Sequence, residues 1–205
     1  MTLAQPKKRY TPAEYYALER DAEYKSDYYD GEIFAMAGGT GAHSDITSNI
    51  IISLGSRLTR GPCRVRESNQ RLKAQATGLR AYPDVAVYCG KIEYDEEDPD
   101  GHTATNPTVI VDVLSPSTEA YDRGFKAENY RRIESLKTYV IIAQDRPHAE
   151  VYFRQADGTW SISDVSGLDA TINLDTIGVQ IPMSEVYNRV EFPPAAPSQA
   201  PSVRP

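Results

Sequence analysis

Two aspartates in this chain stand inside runs that otherwise read as buried strand. Asp84 lies in "AYPDVAVYCG" (81–90) and Asp112 in "NPTVIVDVLSPST" (106–118). Side chains alternate across a strand, so Val109, Val111 and Val113 share one face, and Ile110, Asp112 and Leu114 share the other. Both faces are apolar apart from Asp112, the pattern of a central strand covered on both sides. Asp84 and Ala86 oppose Val85 and Val87 in the same way. A carboxylate in such a place is costly unless it is paired, hydrogen-bonded or bound to a metal. On adjacent strands the two would repel, and one would take up a proton. Mg2+ or Mn2+ satisfies both, because hard cations prefer carboxylate oxygens and keep several waters. Lys126 follows 14 residues after Asp112, where a helix packing back on the strand can aim it at the carboxylates. There it would orient or deprotonate a water, or neutralise charge building on a phosphate. Singly, each of these residues is as readily an ordinary core carboxylate or surface lysine. The pair with the lysine following points to a metal site.

The elements that must position these residues are legible in outline. "TPAEYYALER" opens as a helix, with Thr11, Pro12 and Glu14 forming its N-terminal box. "SDYYDGEIFAMAGG" reads as a hairpin turning at Asp30-Gly31. Ile46, Ile50, Leu54 and Leu58 recur every four residues in a long helix that Gly61-Pro62 stops. Strands follow at "CRVRE", "QRLKAQ" and "YPDVAVYC", then a polar, acidic loop over 90–107 and the strand "TVIVDVL". "AYDRGFKAENYRRIES" reads as one helix, "KTYVIIA" as a core strand, "AEVYFRQADGTWSISDV" as a hairpin at Asp157-Gly158, and "MSEVYNRV" as a short closing helix. This order predicts an α/β fold with a mixed β-sheet flanked by helices, as one domain over 1–192. Residues 193–205 carry five prolines and predict a disordered Pro/Ala-rich tail.

Bulk properties exclude several classes. In 205 residues no run approaches the apolar length of a membrane span, and "MTLAQPKKRY" lacks the core of a secretory signal, so a cytoplasmic protein without a membrane partner is expected. Cys63 and Cys89 can pair or stay apart; in a reducing compartment free thiols are expected. A net charge of −7 argues against indiscriminate coating of nucleic acid. The charge is uneven, however. From Arg57 to Arg80 seven bases face Glu67 alone, a net of +6, whereas six acids and no base lie between Glu93 and Asp100. Arg64, Arg66, Arg71 and Lys73 are thus candidates for a nucleic-acid backbone, with plain solvated surface as the alternative. "GGTGAHS" lacks the ending of a P-loop, and the chain has no H-E-x-x-H, paired C-x-x-C or G-x-S-x-G motif. Of fourteen tyrosines some can stack on bases, while most are expected to pack against the sheet.

Taken together, these residues resemble the PD-(D/E)xK nuclease superfamily, with its restriction endonuclease-like fold. "YPDV" supplies the Pro-Asp motif, and "IVDVLS" stands at the second acid. More closely, the chain resembles a bacterial branch of restriction endonuclease-like proteins long classed as a domain of unknown function. The matching stretches are "YYDGEIFAMAGGTGAHSDI", "YPDVAVYCG", "NPTVIVDVLSPSTEAYDRGFKAENYRRI" and "SLKTYVIIAQD", from about Thr11 to about Val190. The resemblance implies a Mg2+- or Mn2+-dependent endonuclease hydrolysing phosphodiester bonds, most readily in DNA. It implies metal ligands at Asp84, Asp112 and the backbone carbonyl of Val113, and a further catalytic acid at Asp27. In that branch a helix lysine replaces the strand lysine; here Leu114 holds the strand position and Lys126 the helix position. His43 and Glu32 are implied as supporting residues, His43 by touching phosphate or Asp27, although a lone histidine is as often structural. The branch usually has glutamate where Asp27 and Asp112 stand, and often aspartate in place of Asn69. These shorter acids favour a second class of reading, a weakened or inactive nuclease-fold module that binds nucleic acid or a protein partner. Cutting both strands at one site is simplest with a two-fold dimer, so a homodimer is a further expectation.

Overall fold

A computed structural model describes residues 8–36 and 38–192; the tail expected over 193–205 lies outside the described residues. Helix α1 (Pro12–Arg20) starts at the capping box, with the Thr11 side chain accepting from the Glu14 amide and Pro12 in the first turn. Strands β1 (Ser26–Tyr29) and β2 (Glu32–Ala35) form the hairpin. Asp30 and Gly31 both have positive φ (43° and 82°), as a turn matching the right-handed strand twist requires. Helix α2 (Gly41–Arg57) is capped by Thr40, whose hydroxyl accepts from the His43 amide.

Strands β3 (Cys63–Glu67), β4 (Arg71–Ala74), β5 (Leu79–Ala81), β6 (Val85–Cys89), β7 (Thr103–Ala104) and β8 (Val109–Leu114) follow. A helical segment then runs through α3 (Glu119–Tyr121), a π-helical turn (Asp122–Lys126) and α4 (Ala127–Tyr130). Strands β9 (Thr138–Ala143), β10 (His148–Arg154), β11 (Trp160–Ser166), β12 (Thr171–Leu174) and β13 (Val179–Pro182) lead to α5 (Met183–Val186).

The expected mixed sheet is present, and it is accompanied by a second. One sheet has the order β11-β10-β9-β8-β6-β3, in which only β8 and β9 run parallel; another has the order β2-β1-β5-β4-β7. β12 and β13, which the sequence pattern does not announce, form a separate ribbon.

β8 is central and covered as its two apolar faces predict. Val109, Val111 and Val113 pack with Ile46, Ile50 and Leu54 of α2, while Ile110 and Leu114 pack with Ala127, Tyr130 and Tyr139. Burying each such aliphatic side chain contributes about 1.5–3 kcal/mol, which fixes both layers against the strand that carries Asp112. Among the described residues no helix is long and apolar enough to cross a membrane.

Three expectations are corrected. Cys63 and Cys89 are not free thiols: they are directly opposed across β3 and β6 and form a disulfide. The segment 90–107 is not a solvated loop, since Asp95 and Asp98 are buried and β7 within it pairs with β4. The later part of the basic stretch is not a free surface either, although Arg57, Arg60, Arg64 and Arg66 stay exposed. Arg71 pairs with Asp98 at 3.0 Å, Lys73 with Asp95 at 2.8 Å and Glu97 at 2.5 Å, and Arg80 with Glu97 at 2.5 Å. The acids that follow the bases in sequence fold back and neutralise them.

A candidate active site between two sheets

Pairing between β6 and β8 stops at Val85–Val111. Beyond it the backbone of Val113 needs a partner, and Asp84, just before β6, supplies one. Its Oδ2 accepts from the Val113 amide at 2.7 Å. The Asp84 amide in turn donates to Asp112 Oδ1 at 3.2 Å, so the two aspartates that the sequence singled out are joined. Within a strand the N–H and C=O of one residue point the same way, so the Val113 carbonyl also faces the Asp84 side.

Asp112 is only 1% exposed, and its Oδ2 accepts from the Tyr139 hydroxyl at 2.9 Å. The π turn brings Lys126 Nζ to 3.5 Å from Asp112 and 3.3 Å from Asp122. A π turn inside a helix often marks a functional site. From the other sheet β1 carries Asp27, which accepts from the Tyr82 amide at 3.3 Å and the Tyr121 hydroxyl at 3.1 Å. His43, in the first turn of α2, places Nε2 3.2 Å from Asp84 Oδ2. Its ring nestles under Gly39, where a Cβ would stand 3.0 Å from Nδ1.

These groups surround a cleft of about 280 Å3 lined by Asp27, His43, Asp84, Asp122, Lys126 and the backbone of Val113. Asp112 lies beneath it. Negative charge is in surplus, with four aspartates against one lysine and one imidazole. Burial pushes the Asp27 carboxyl up to about 6, against the pull of Lys126. Burial likewise drives Asp112 upward, helped by Asp122 and Asp84 and opposed by Lys126. Burial alone would lower the Lys126 ammonium, yet Asp112, Tyr130 and Asp122 hold it well above its ordinary value. The hydrogen bond to Asp84 raises His43. An oxygen-rich, over-acidic cluster with strand carbonyls nearby fits a hard divalent cation.

Of the residues expected here, Asp27, His43, Asp84, Asp112, Val113 and Lys126 converge. Glu32 does not line the cleft; it sits on β2 opposite Tyr29. Arg64 and Arg66 are exposed on β3, whereas Arg71 and Lys73 are held by the acidic segment. Sequence reasoning missed Asp122, Tyr121, Tyr139 and the hydroxyls of Ser115, Ser117 and Thr118. For Asp122 a signal existed, since it precedes Lys126 by one helical repeat. A separate group of possible ligands, His148, Glu150 and Asp164, lies on the β10–β11 hairpin, where Glu150 already pairs with Arg123.

Known proteins give the arrangement its context. An uncharacterized protein of Synechocystis (slr1290) is 31% identical over 191 residues, covering 91% of this chain and 96% of its own. A second Synechocystis protein (sll1609) is 30% identical over 162 residues, covering 79% and 90%. In fold, the chain matches a crystal structure from Anabaena variabilis titled as a "putative nuclease belonging to DUF820", with a TM-score of 0.70, 18% identity and coverage of 87% and 97%. A family model described as "Uma2: Putative restriction endonuclease" matches residues 12–184, and the chain belongs to that family, with its restriction endonuclease-like fold.

Proposed function

We propose that this chain is a Mg2+- or Mn2+-dependent endonuclease that hydrolyses phosphodiester bonds in DNA. The observation that carries the reading is the junction of Asp84 and Asp112 at the frayed end of the β6–β8 ladder, with Lys126 against Asp112. Asp84, the Val113 carbonyl and Asp112 would hold the cation, with Asp27 as a further acid. When bound, the cation polarises the phosphate and makes a nearby water more acidic.

The chain's own groups divide the remaining work. Lys126, flanked by Asp112 and Asp122, stays charged, so it stabilises charge on the phosphate rather than accepting a proton. Tyr139 fixes the orientation of the Asp112 carboxylate, and Tyr121 that of Asp27. His43 borders both Asp84 and the cleft and is positioned to touch phosphate. Exposed Arg64 and Arg66 are the remaining candidates for backbone contact. Action in the cytoplasm on DNA, by a two-fold dimer where both strands are cut, belongs to the same reading.

Plasmid nicking with Mg2+ or Mn2+ tests it. Asp84→Ala, Asp112→Ala and Lys126→Ala should each lose about a hundredfold or more of the activity. Cleavage that persists in the variants would overturn the assignment. The burial of Asp112, with both oxygens already engaged, favours one alternative, a nuclease-fold module that binds without cutting. That alternative predicts nucleic-acid binding with no Mn2+ uptake by calorimetry.

A further inference from the structure

Tyrosine hydroxyls around the cleft are in use: Tyr121 donates to Asp27 at 3.1 Å, Tyr139 to Asp112 at 2.9 Å and Tyr82 to Glu19 at 2.8 Å. The Tyr130 hydroxyl is not. Tyr130 is 0% exposed, and its oxygen has no hydrogen-bond partner among the described residues. A buried hydroxyl left unpaired costs folding free energy that a phenylalanine would avoid. The other unpaired tyrosine hydroxyl, that of Tyr88, belongs to a separate cluster with Ile92 and Ala104.

The cation next to Tyr130 is Lys126, four residues earlier on the same helical face, with Nζ over the ring at 5.8 Å from its centroid. Lys126 is loosely held. Its ion pairs, 3.5 Å to Asp112 Oδ2 and 3.3 Å to Asp122, both exceed the roughly 2.7–3.2 Å of a close N–H···O bond. Oδ2 already accepts from Tyr139, and Oδ1 from the Asp84 amide. Once Asp112 holds a divalent cation, Lys126 faces like charge across the same carboxylate. The lysine is buried, so it cannot turn to water, and a buried ammonium short of acceptors is costly.

We propose that Tyr130 is a positioning residue whose hydroxyl accepts Lys126 as Asp112 passes to the cation, so that Tyr130 and Asp122 together hold the ammonium for the phosphate. The hydroxyl unpaired in the metal-free chain is the one the metal-loaded chain uses. Its place is fixed, because the Tyr130 ring packs edge-on against Tyr139 with 5.5 Å between centroids. The ammonium already lies over that ring, so a change of lysine rotamer alone brings it to the hydroxyl.

The inference rests on the metal-nuclease reading, and its test separates the two. Tyr130→Phe keeps the ring and removes the hydroxyl. Without metal it should unfold at the temperature of the full chain or above it. By calorimetry, the Mn2+ site that Asp84→Asn removes should bind about tenfold more weakly in Tyr130→Phe, the size of one lost hydrogen bond to a charged group. In a Lys126→Met background, where no ammonium needs an acceptor, the same substitution should change Mn2+ affinity by less than about twofold. A tyrosine that merely packs would show no such dependence on Lys126. Unaltered Mn2+ affinity in Tyr130→Phe overturns the proposal, and so does an equal loss in the Lys126→Met background. Absence of Mn2+ binding by the full chain overturns it together with the metal reading. Mn2+ binding that depends on Tyr130, without plasmid cleavage, would leave the positioning role standing and remove the nuclease. Cleavage with a Mn2+ affinity that ignores Tyr130 would do the reverse.

Discussion

Replacing Arg71 by methionine should cost folding stability and leave nucleic-acid binding unchanged. The guanidinium is buried, 3.0 Å from Asp98 Oδ2, and donates to Thr103 Oγ1 at 2.7 Å and to the Tyr82 hydroxyl at 3.2 Å. It also lies over the rings of Tyr16 (4.8 Å) and Tyr15 (5.6 Å). Methionine keeps much of the volume but leaves the enclosed Asp98 carboxylate without its counter-charge. Breaking a buried pair from one side costs about 3–5 kcal/mol. For a chain of this size each kcal/mol moves Tm by about 2–4 °C, so the expected fall is roughly 6–20 °C. Adding Asp98→Asn removes the stranded charge and should recover part of the loss, which a double-mutant cycle reads as coupling.

Binding supplies the other half of the test. A lysine or arginine that touches phosphate lowers the salt slope of log K by about 1 when removed. Arg71→Met should leave that slope alone. Arg64→Ala with Arg66→Ala, on exposed positions, should lower it while shifting stability by only about 0.5 kcal/mol per site. A Tm change below about 2 °C for Arg71→Met, together with a shallower salt slope, would refute the structural role assigned to this arginine.

Mn2+ at a hundredfold excess over its dissociation constant should stabilise the chain by about 2.7 kcal/mol; Asp84→Asn should abolish the calorimetric shift, and an unaltered shift would reject Asp84 as a ligand. Thiol titration should find no reactive cysteine until reductant is added, after which closure of the 26-residue loop is lost at a cost of about 3–4 kcal/mol; immediate reaction would argue against the bond. Although burial opposes it, the Thr103 hydroxyl, the Arg71 guanidinium and the Asp100 amide hold Asp98 down at about 2. A depressed carboxyl stabilises the fold above its ordinary range and loses that contribution as pH falls through the lowered value. The stability gap between the chain and Asp98→Asn should therefore shrink between about pH 4 and pH 2, and a constant gap would contradict the assignment.

Much of the fold was legible because its signals are local. The box at Thr11, the Asp30-Gly31 turn and the four-residue repeat of Ile46, Ile50 and Leu54 each depend on neighbours in sequence, and each appears where expected. The neighbouring position of Asp84 and Asp112 was legible too, since β6 and β8 lie side by side; Asp112 interrupts β8 as expected, whereas Asp84 stands just before β6 rather than within it. The misread parts depend on distance in sequence. Nothing local tells that Asp95 and Asp98 return to cover Lys73 and Arg71, or that Cys63 lands opposite Cys89. Net charge in a window counts the bases correctly and says nothing about which acids will sit on them.

The lysine shows how far a spacing argument reaches. Leu114 shares the face of Asp112 two residues on, and that face is sealed by Ala127 and Tyr130. Between that strand and the helical layer there is no room for a long cation at 114, whose side chain belongs to the apolar seal. A lysine on the covering layer meets Asp112 from the other side. Asp122, Lys126 and Tyr130 recur every four residues, all three are buried, and Tyr130 packs edge-on against Tyr139, the hydroxyl donor to Asp112. The period was visible in the sequence; the π turn that carries its middle was not, because an extra backbone residue per turn leaves no mark in side-chain type. One helical face thus delivers a carboxylate, an ammonium and a packing aromatic to one buried aspartate. Moving Lys126 by a single residue would point it off that face and break all of these contacts together.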